Sequence, residues 1–188
     1  MLIAINLIVF IISAIKSGSV WNIKKDILVE LGAKVNYLIN GGEYERLIKS
    51  MFLHSGLIHF VFNMYALYSL GNLINQIYGT KKYLIIYFLS GIVASFTSYK
   101  LSYGVSVGAS GAIFGLLGSC LFFAYKEKQR IGKEFFIDII SVIILNLIIG
   151  LSIPNIDNSA HFGGLFAGII ITFFIYNQNK IIKIFKKE

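Results

Sequence analysis

Apolar residues run along this chain in six stretches, at about 2–15, 57–78, 83–103, 109–125, 135–153 and 160–176, separated mostly by short polar breaks. A helix needs about 20 apolar residues to cross the roughly 30 Å hydrocarbon layer of a bilayer, so the stretches predict membrane-spanning helices. The first is short, and it predicts a span that tilts or borrows length from its polar flank. A signal peptide is not expected there, because no charge precedes the apolar run, no small-residue cleavage site follows it, and Lys16 comes directly after. Region 16–56 breaks the pattern. It is longer than an ordinary connection and mixes charges with Trp21, Tyr37, Tyr44, Met51 and Phe52, a texture of short amphipathic pieces in the outer membrane interface; a solvated linker is the alternative.

The expected fold is an all-α polytopic membrane protein, one domain over 1–188, with a long membrane-associated first loop. Charge sets its orientation. Lys81, Lys82, Lys126, Lys128, Arg130 and Lys133 follow the second and fourth stretches, and Lys180, Lys183, Lys186 and Lys187 follow the sixth, whereas the other short breaks hold only Lys100 and Asp157. Positive residues stay on the cytoplasmic side, so both termini are expected there, and spans two, four and six enter from the outside.

Composition agrees with a lipid solvent: the 188 residues are 56% hydrophobic and 14% charged, with one Pro and a mean hydropathy of +0.75. The net charge of +8 lies in the polar breaks, where anionic headgroups are the natural partner and nucleic acid is not. A single cysteine, Cys120, excludes an intrachain disulfide and a Cys-type zinc site. It reads as core filler. No internal repeat or low-complexity tract is present.

Strongly polar groups are costly within a membrane helix, so each is a candidate site. His59 and Asn63 lie near the start of span two, Ser110 at the start of span four, His161 near the start of span six, and Asp138 and Asn146 in span five. His59 and Asn63, four apart, share one helix face; they read either as hydrogen-bond donors for a site or as an inter-helix clasp. Ser110 stands in Gly108-Ala109-Ser110-Gly111-Ala112, where flanking glycines permit a sharp turn and the helix N-terminus leaves N–H groups unpaired. The same cluster, continued by Gly115 and Gly118, reads equally as a packing face. His161 lies one turn before Gly164 in a surface completed by Gly168; if that surface packs on Gly111 and Gly115, the imidazole approaches Ser110. A structural hydrogen-bonding role is its alternative. Together these residues supply a nucleophile, a base and separate donors, the set needed for acyl transfer. The only carboxylate near this layer is Asp157, in the loop, so a dyad is expected rather than a triad.

The pattern resembles the rhomboid intramembrane serine proteases. His54-Ser55-Gly56-Leu57-Ile58-His59-Phe60-Val61-Phe62-Asn63-Met64 is similar to the family's second-helix signature, Gly108-Ala109-Ser110-Gly111-Ala112-Ile113-Phe114-Gly115 to its nucleophile motif, and Ala160-His161-Phe162-Gly163-Gly164 to its base motif. The resemblance implies a six-transmembrane-helix rhomboid bundle around a cavity open to the outside. It makes Ser110 the nucleophile, His161 the base, His59, Asn63 and the Ser110 N–H the oxyanion hole, and His54 a support from the first loop. Two departures stand out: the family often has Trp-Arg where this chain has Glu45-Arg46, and Phe114 stands where some members have tyrosine. The resemblance also implies single-span membrane protein substrates and no cofactor or metal; from the sequence itself no seventh helix or soluble domain is expected. Abundant Ile, Lys and Asn fit a microbial source, and a bacterial cell (inner) membrane is the expected location. Two other readings remain: an inactive relative that binds transmembrane segments, and a redox or transport protein binding haem or metal through His54, His59 and His161. Against the latter, no H-E-x-x-H motif occurs.

Overall fold

The computed structural model describes residues 1–154 and 156–176. Leu2–Ser17 forms α1, after which the first loop folds into α2 (Lys25–Glu30), α3 (Asn36–Asn40), α4 (Arg46–Lys49) and a 3-10 turn at Ser50–Phe52. Five long helices follow: α5 (Leu57–Tyr78), α6 (Thr80–Leu101), α7 (Ser110–Ile131), α8 (Lys133–Ser152) and α9 (Asn158–Ile175). Helices α5, α6, α8 and α9 are each long and apolar enough to cross a membrane, and the chain is an integral membrane protein. Helix α1 is apolar but only 16 residues long. Helix α7 has 22 residues, and glycine, serine and a charged end dilute its apolar content. Its position accounts for that composition: every residue from Gly111 to Cys120 is buried, so protein rather than lipid surrounds it.

The helices run past the apolar stretches. Lys81 and Lys82 stand in the first turn of α6, Lys126, Lys128 and Arg130 in the last turns of α7, and Lys133 opens α8, so the connections after α5 and α7 shrink to Gly79 and Gly132. The extension of α7 is tied down at Glu127, which is 3% exposed. It accepts from Arg130 at 3.2 Å and from the Tyr176 hydroxyl. Lys180, Lys183, Lys186 and Lys187 lie outside the described residues.

Packing centres on α6, α7 and α9, each of which lies against the other two. Lipid is as apolar as any side chain and gives helices no hydrophobic reason to associate, so close packing of small residues must hold them. A Cβ added at Gly164 would strike the Gly111 carbonyl, one at Gly168 the Gly115 carbonyl, and one at Gly118 the Leu165 carbonyl. The α7 and α9 backbones are therefore in direct contact. Helix α8 rests mainly on α7 and leaves Asp138 and Asn146 exposed. Among the described residues the Asn146 amide bonds only the Val142 carbonyl of its own helix, at 2.8 Å, and both polar residues of span five face outward, away from the candidate site.

The first loop is anchored to the segment that precedes α7. Lys34, 1% exposed, donates its ammonium to the Ser102 carbonyl at 2.8 Å, the Gly104 carbonyl at 2.9 Å and Asn36 Oδ1 at 3.0 Å. Its main chain exchanges hydrogen bonds with Ser106 at 3.0 and 3.1 Å, the one isolated β-bridge among the described residues. Burial lowers the Lys34 pKa, and Asp157 opposes this. Arg46 braces the loop from within: it donates to the Val29 carbonyl at 2.7 Å and the Ala33 carbonyl at 3.0 Å and pairs with Glu43.

Because Gly168 meets backbone rather than a mobile side-chain tip, Gly168→Val should lower unfolding stability in detergent by about 1–3 kcal/mol or more. A chemical unfolding titration against wild type measures this; an unchanged midpoint would mean that α9 tolerates displacement from α7.

Candidate active site

Ser110 is the first residue of α7, preceded by Ala109, whose side chain offers no cap to the helix. The opening N–H groups therefore stay available. Gly108 places the serine: its φ of +128° favours glycine, and its N–H donates to the Ser50 carbonyl at 2.9 Å. A Cβ there would lie 2.9 Å from both Cε1 and Nε2 of His59 and 3.7 Å from Ser110 Oγ. One side of the imidazole and the serine hydroxyl thus border the same point.

From α9, His161 Nε2 comes to 3.0 Å from Ser110 Oγ. The imidazole is 8% exposed and stacks face to face on Phe114, with centroids 4.2 Å apart and planes inclined by 11°. Nδ1 of His161 has no partner among the described residues. If Nε2 accepts the serine proton, Nδ1 carries the ring hydrogen. Asp157 does not supply an acceptor for it. That carboxylate caps α9, accepting from Ala160 N at 3.1 Å through one oxygen and from the Ser98 hydroxyl through the other, so it fixes the helix that bears His161.

Helix α5 brings the other polar groups. His59 Nδ1 lies 3.0 Å from Ser55 Oγ and 3.4 Å from Ser55 N. Asn63 is buried; its Nδ2 donates to the His59 carbonyl at 2.8 Å, and its Oδ1 has no partner among the described residues. His54, fully buried, sits edge-on to His59 at 5.2 Å and to Phe60 at 5.3 Å. Among the described residues no three of His, Cys, Asp and Glu stand together as a metal-ligand set.

A serine paired with an imidazole at the opening of a helix, with donors on a neighbouring helix, is the constellation of acyl-transfer chemistry. A family model described as the Rhomboid domain matches residues 41–178. The chain belongs to the rhomboid family. Among its curated relatives, "Rhomboid protease GluP" of Bacillus subtilis is 41% identical over 166 residues, covering 88% of this chain and 32% of that protein. "RHOMBOID-like protein 5" of Arabidopsis thaliana is 39% identical over 155 residues, with 78% of this chain and 48% of the relative covered. "Rhomboid-like protease 3" of Toxoplasma gondii is 31% identical over 180 residues, with 92% and 66% covered. This rhomboid chain therefore spans from about a third to two thirds of the length of these relatives.

Within the rhomboid frame, Ser110 contacts His161, which stacks on Phe114, and Gly108 lies between Ser110 and His59. His54 lies behind His59, while Gly164 and Gly168 act through packing. Two participants escaped the sequence reading. Ser55 was invisible as a partner of His59, because a serine in a loop carries no signal of its own. Ser98 was equally silent, although Asp157 three residues before Ala160 is an N-cap pattern that could have been read.

Burial holds the His54 imidazole down at about 3, helped by the neighbouring His59 and weakly opposed by the Phe52 backbone. Neither ring nitrogen of His54 has a hydrogen-bond partner among the described residues. Folded and unfolded chains both carry a neutral ring well above the ordinary value of 6.5. Between 6.5 and about 3 only the unfolded chain takes up the proton, so stability falls as pH falls, by up to about 1.4 kcal/mol per pH unit. Unfolding midpoints in detergent from pH about 7 to about 4 should show a shallower decline for His54→Leu than for wild type. Superimposable slopes would remove His54 from the acid response.

Proposed function

We propose that this rhomboid chain is an intramembrane serine endopeptidase that cleaves single-span membrane proteins near the outer face of the bilayer. The observation that carries the reading is the 3.0 Å contact between His161 Nε2 and Ser110 Oγ at the opening of α7. In this mechanism His161 removes the hydroxyl proton as Ser110 Oγ attacks the scissile carbonyl, then returns it to the leaving amine. Water, deprotonated by the same imidazole, then attacks the acyl carbonyl, the ester bond to Ser110 Oγ breaks, and the imidazolium returns its proton to Oγ as the acid product leaves. The negative oxygen formed during attack is held by the Ser110 N–H, His59 and Asn63, and such donors in a low-dielectric site each contribute roughly 3 to 4 kcal/mol. Phe114 takes over the orienting work that a carboxylate does elsewhere: its face lies against the imidazole, where it can also favour the transient cation.

In the same proposal α1 and α5 to α9 all span the bilayer, with the first loop resting in its outer leaflet and both termini in the cytoplasm of a bacterial cell (inner) membrane. No cofactor enters the mechanism. Helix α1, with 16 residues, spans where the bilayer thins or Lys16 snorkels, and its exposed Ile8, Ile11 and Ile15 suit lipid.

In liposomes, the wild-type chain should cleave a single-span substrate near its outer end without sensitivity to chelators. Ser110→Ala and His161→Ala should each cut activity by about 10⁶-fold, below detection. Undiminished cleavage by either variant rejects the dyad. No cleavage by wild type across several substrates favours an inactive relative that binds transmembrane segments instead.

A further inference from the structure

We infer that Ser55 is a positioning residue for the oxyanion site, holding His59 in the neutral tautomer whose Nε2–H is directed toward the space beside Ser110. The inference rests on the protease reading for its catalytic consequence, but the tautomer itself follows from local geometry.

Two groups of Ser55 converge on one ring nitrogen: Oγ at 3.0 Å and the backbone N at 3.4 Å from His59 Nδ1. A backbone N–H only donates, so Nδ1 must present a lone pair, and the single hydrogen of the neutral ring then resides on Nε2. The hydroxyl can donate to the same lone pair and strengthens the choice. A doubly protonated imidazole would set N–H against N–H at this position. In the opposite tautomer Nε2 would turn a lone pair toward the developing oxyanion and repel it; in the tautomer that Ser55 selects, the same atom donates.

The ring has little freedom to escape. His54 meets it edge-on at 5.2 Å with planes at 63°, and the Cε1–Nε2 side abuts Gly108 so closely that a Cβ there would lie 2.9 Å from both atoms. That same Cβ position is 3.7 Å from Ser110 Oγ, which places the nucleophile and the His59 donor edge around one point. Asn63 fixes the carbonyl of His59 from the next turn at 2.8 Å. Ser55 itself is exposed, so its side chain can be altered without opening the core.

The chain has three histidines, which makes ring-¹⁵N NMR of the detergent-solubilised full chain tractable once each is assigned by substitution. Wild type should show His59 protonated at Nε2. Ser55→Ala, which keeps the backbone donor and loses the hydroxyl, should shift part of the signal toward the Nδ1–H form, and Ser55→Thr should restore the wild-type pattern. In cleavage assays Ser55→Ala should lower kcat by about three- to ten-fold at unchanged KM, with recovery in Ser55→Thr. Because the residue acts through His59, adding Ser55→Ala to His59→Ala should cost nothing further. An Nδ1–H tautomer in wild type, or an equal loss from Ser55→Ala in both backgrounds, overturns the inference. Should His59→Ala fall below detection, the NMR result alone decides. Absence of cleavage by wild type across several substrates would instead remove the protease reading and leave the tautomer assignment standing.

Discussion

The backbone contact between α7 and α9 is the constraint on which everything else depends. Side chains normally keep helices 8–10 Å apart, but here the Gly111 and Gly115 carbonyls lie where a Cβ of Gly164 or Gly168 would be. At that separation the N-terminal ends of two helices entering from the same side stand next to each other, and their first side chains have nowhere to go but toward one another. Ser110 opens α7, and His161 lies in the first turn of α9. Their 3.0 Å contact is therefore a consequence of glycine packing several turns long, not of attraction between the two polar groups. In lipid this order of causes is the natural one, because dispersion contacts between close backbones supply the association that water would otherwise drive.

A second set of contacts closes the site from the opposite direction. The segment that leads into Ser110 is non-helical backbone, and non-helical backbone in a membrane protein must find its hydrogen bonds within the protein. Lys34 supplies donors to Ser102 and Gly104 and pairs with Ser106, and the Ser50 carbonyl takes the N–H of Gly108. The first loop is thus the missing half of that segment's hydrogen bonding, which explains why so long a connection folds into short helices rather than trailing as a linker. A buried ammonium is expensive unless its donors are satisfied. Three acceptors within 3.0 Å meet that need.

What could be read from the sequence was what depends on local period and composition. The apolar stretches marked the long helices, and the i, i+4 spacing of Gly164 and Gly168 one turn beyond His161 gave the register of the α9 surface. Helix ends were harder. The fourth stretch stopped at Tyr125 by hydropathy, yet α7 continues to Ile131 because Glu127 finds Arg130 and Tyr176, and Tyr176 is 49 residues away. The first-loop anchors are of the same kind: Lys34 and its two carbonyl partners are separated by 68 and 70 residues. Nothing in the neighbourhood of Lys34 distinguishes it from a solvated lysine. Long-range polar pairing carries no period, so a single sequence does not reveal it.

Asp157 shows how the same residue types serve different ends. Near a histidine, a carboxylate invites a triad, but here both oxygens are committed, one to the opening turn of α9 and the other to Ser98 on α6. Turning this side chain toward His161 would unpair the N-terminus of the helix on which His161 rides and release its tie to α6. The structure spends its carboxylate on placing the helix and leaves the imidazole to an aromatic face. That division suits a low-dielectric setting. An anion held directly beside the imidazole would favour the protonated ring even at rest, whereas the Phe114 face, 4.2 Å away and nearly parallel, lies against the ring without adding charge.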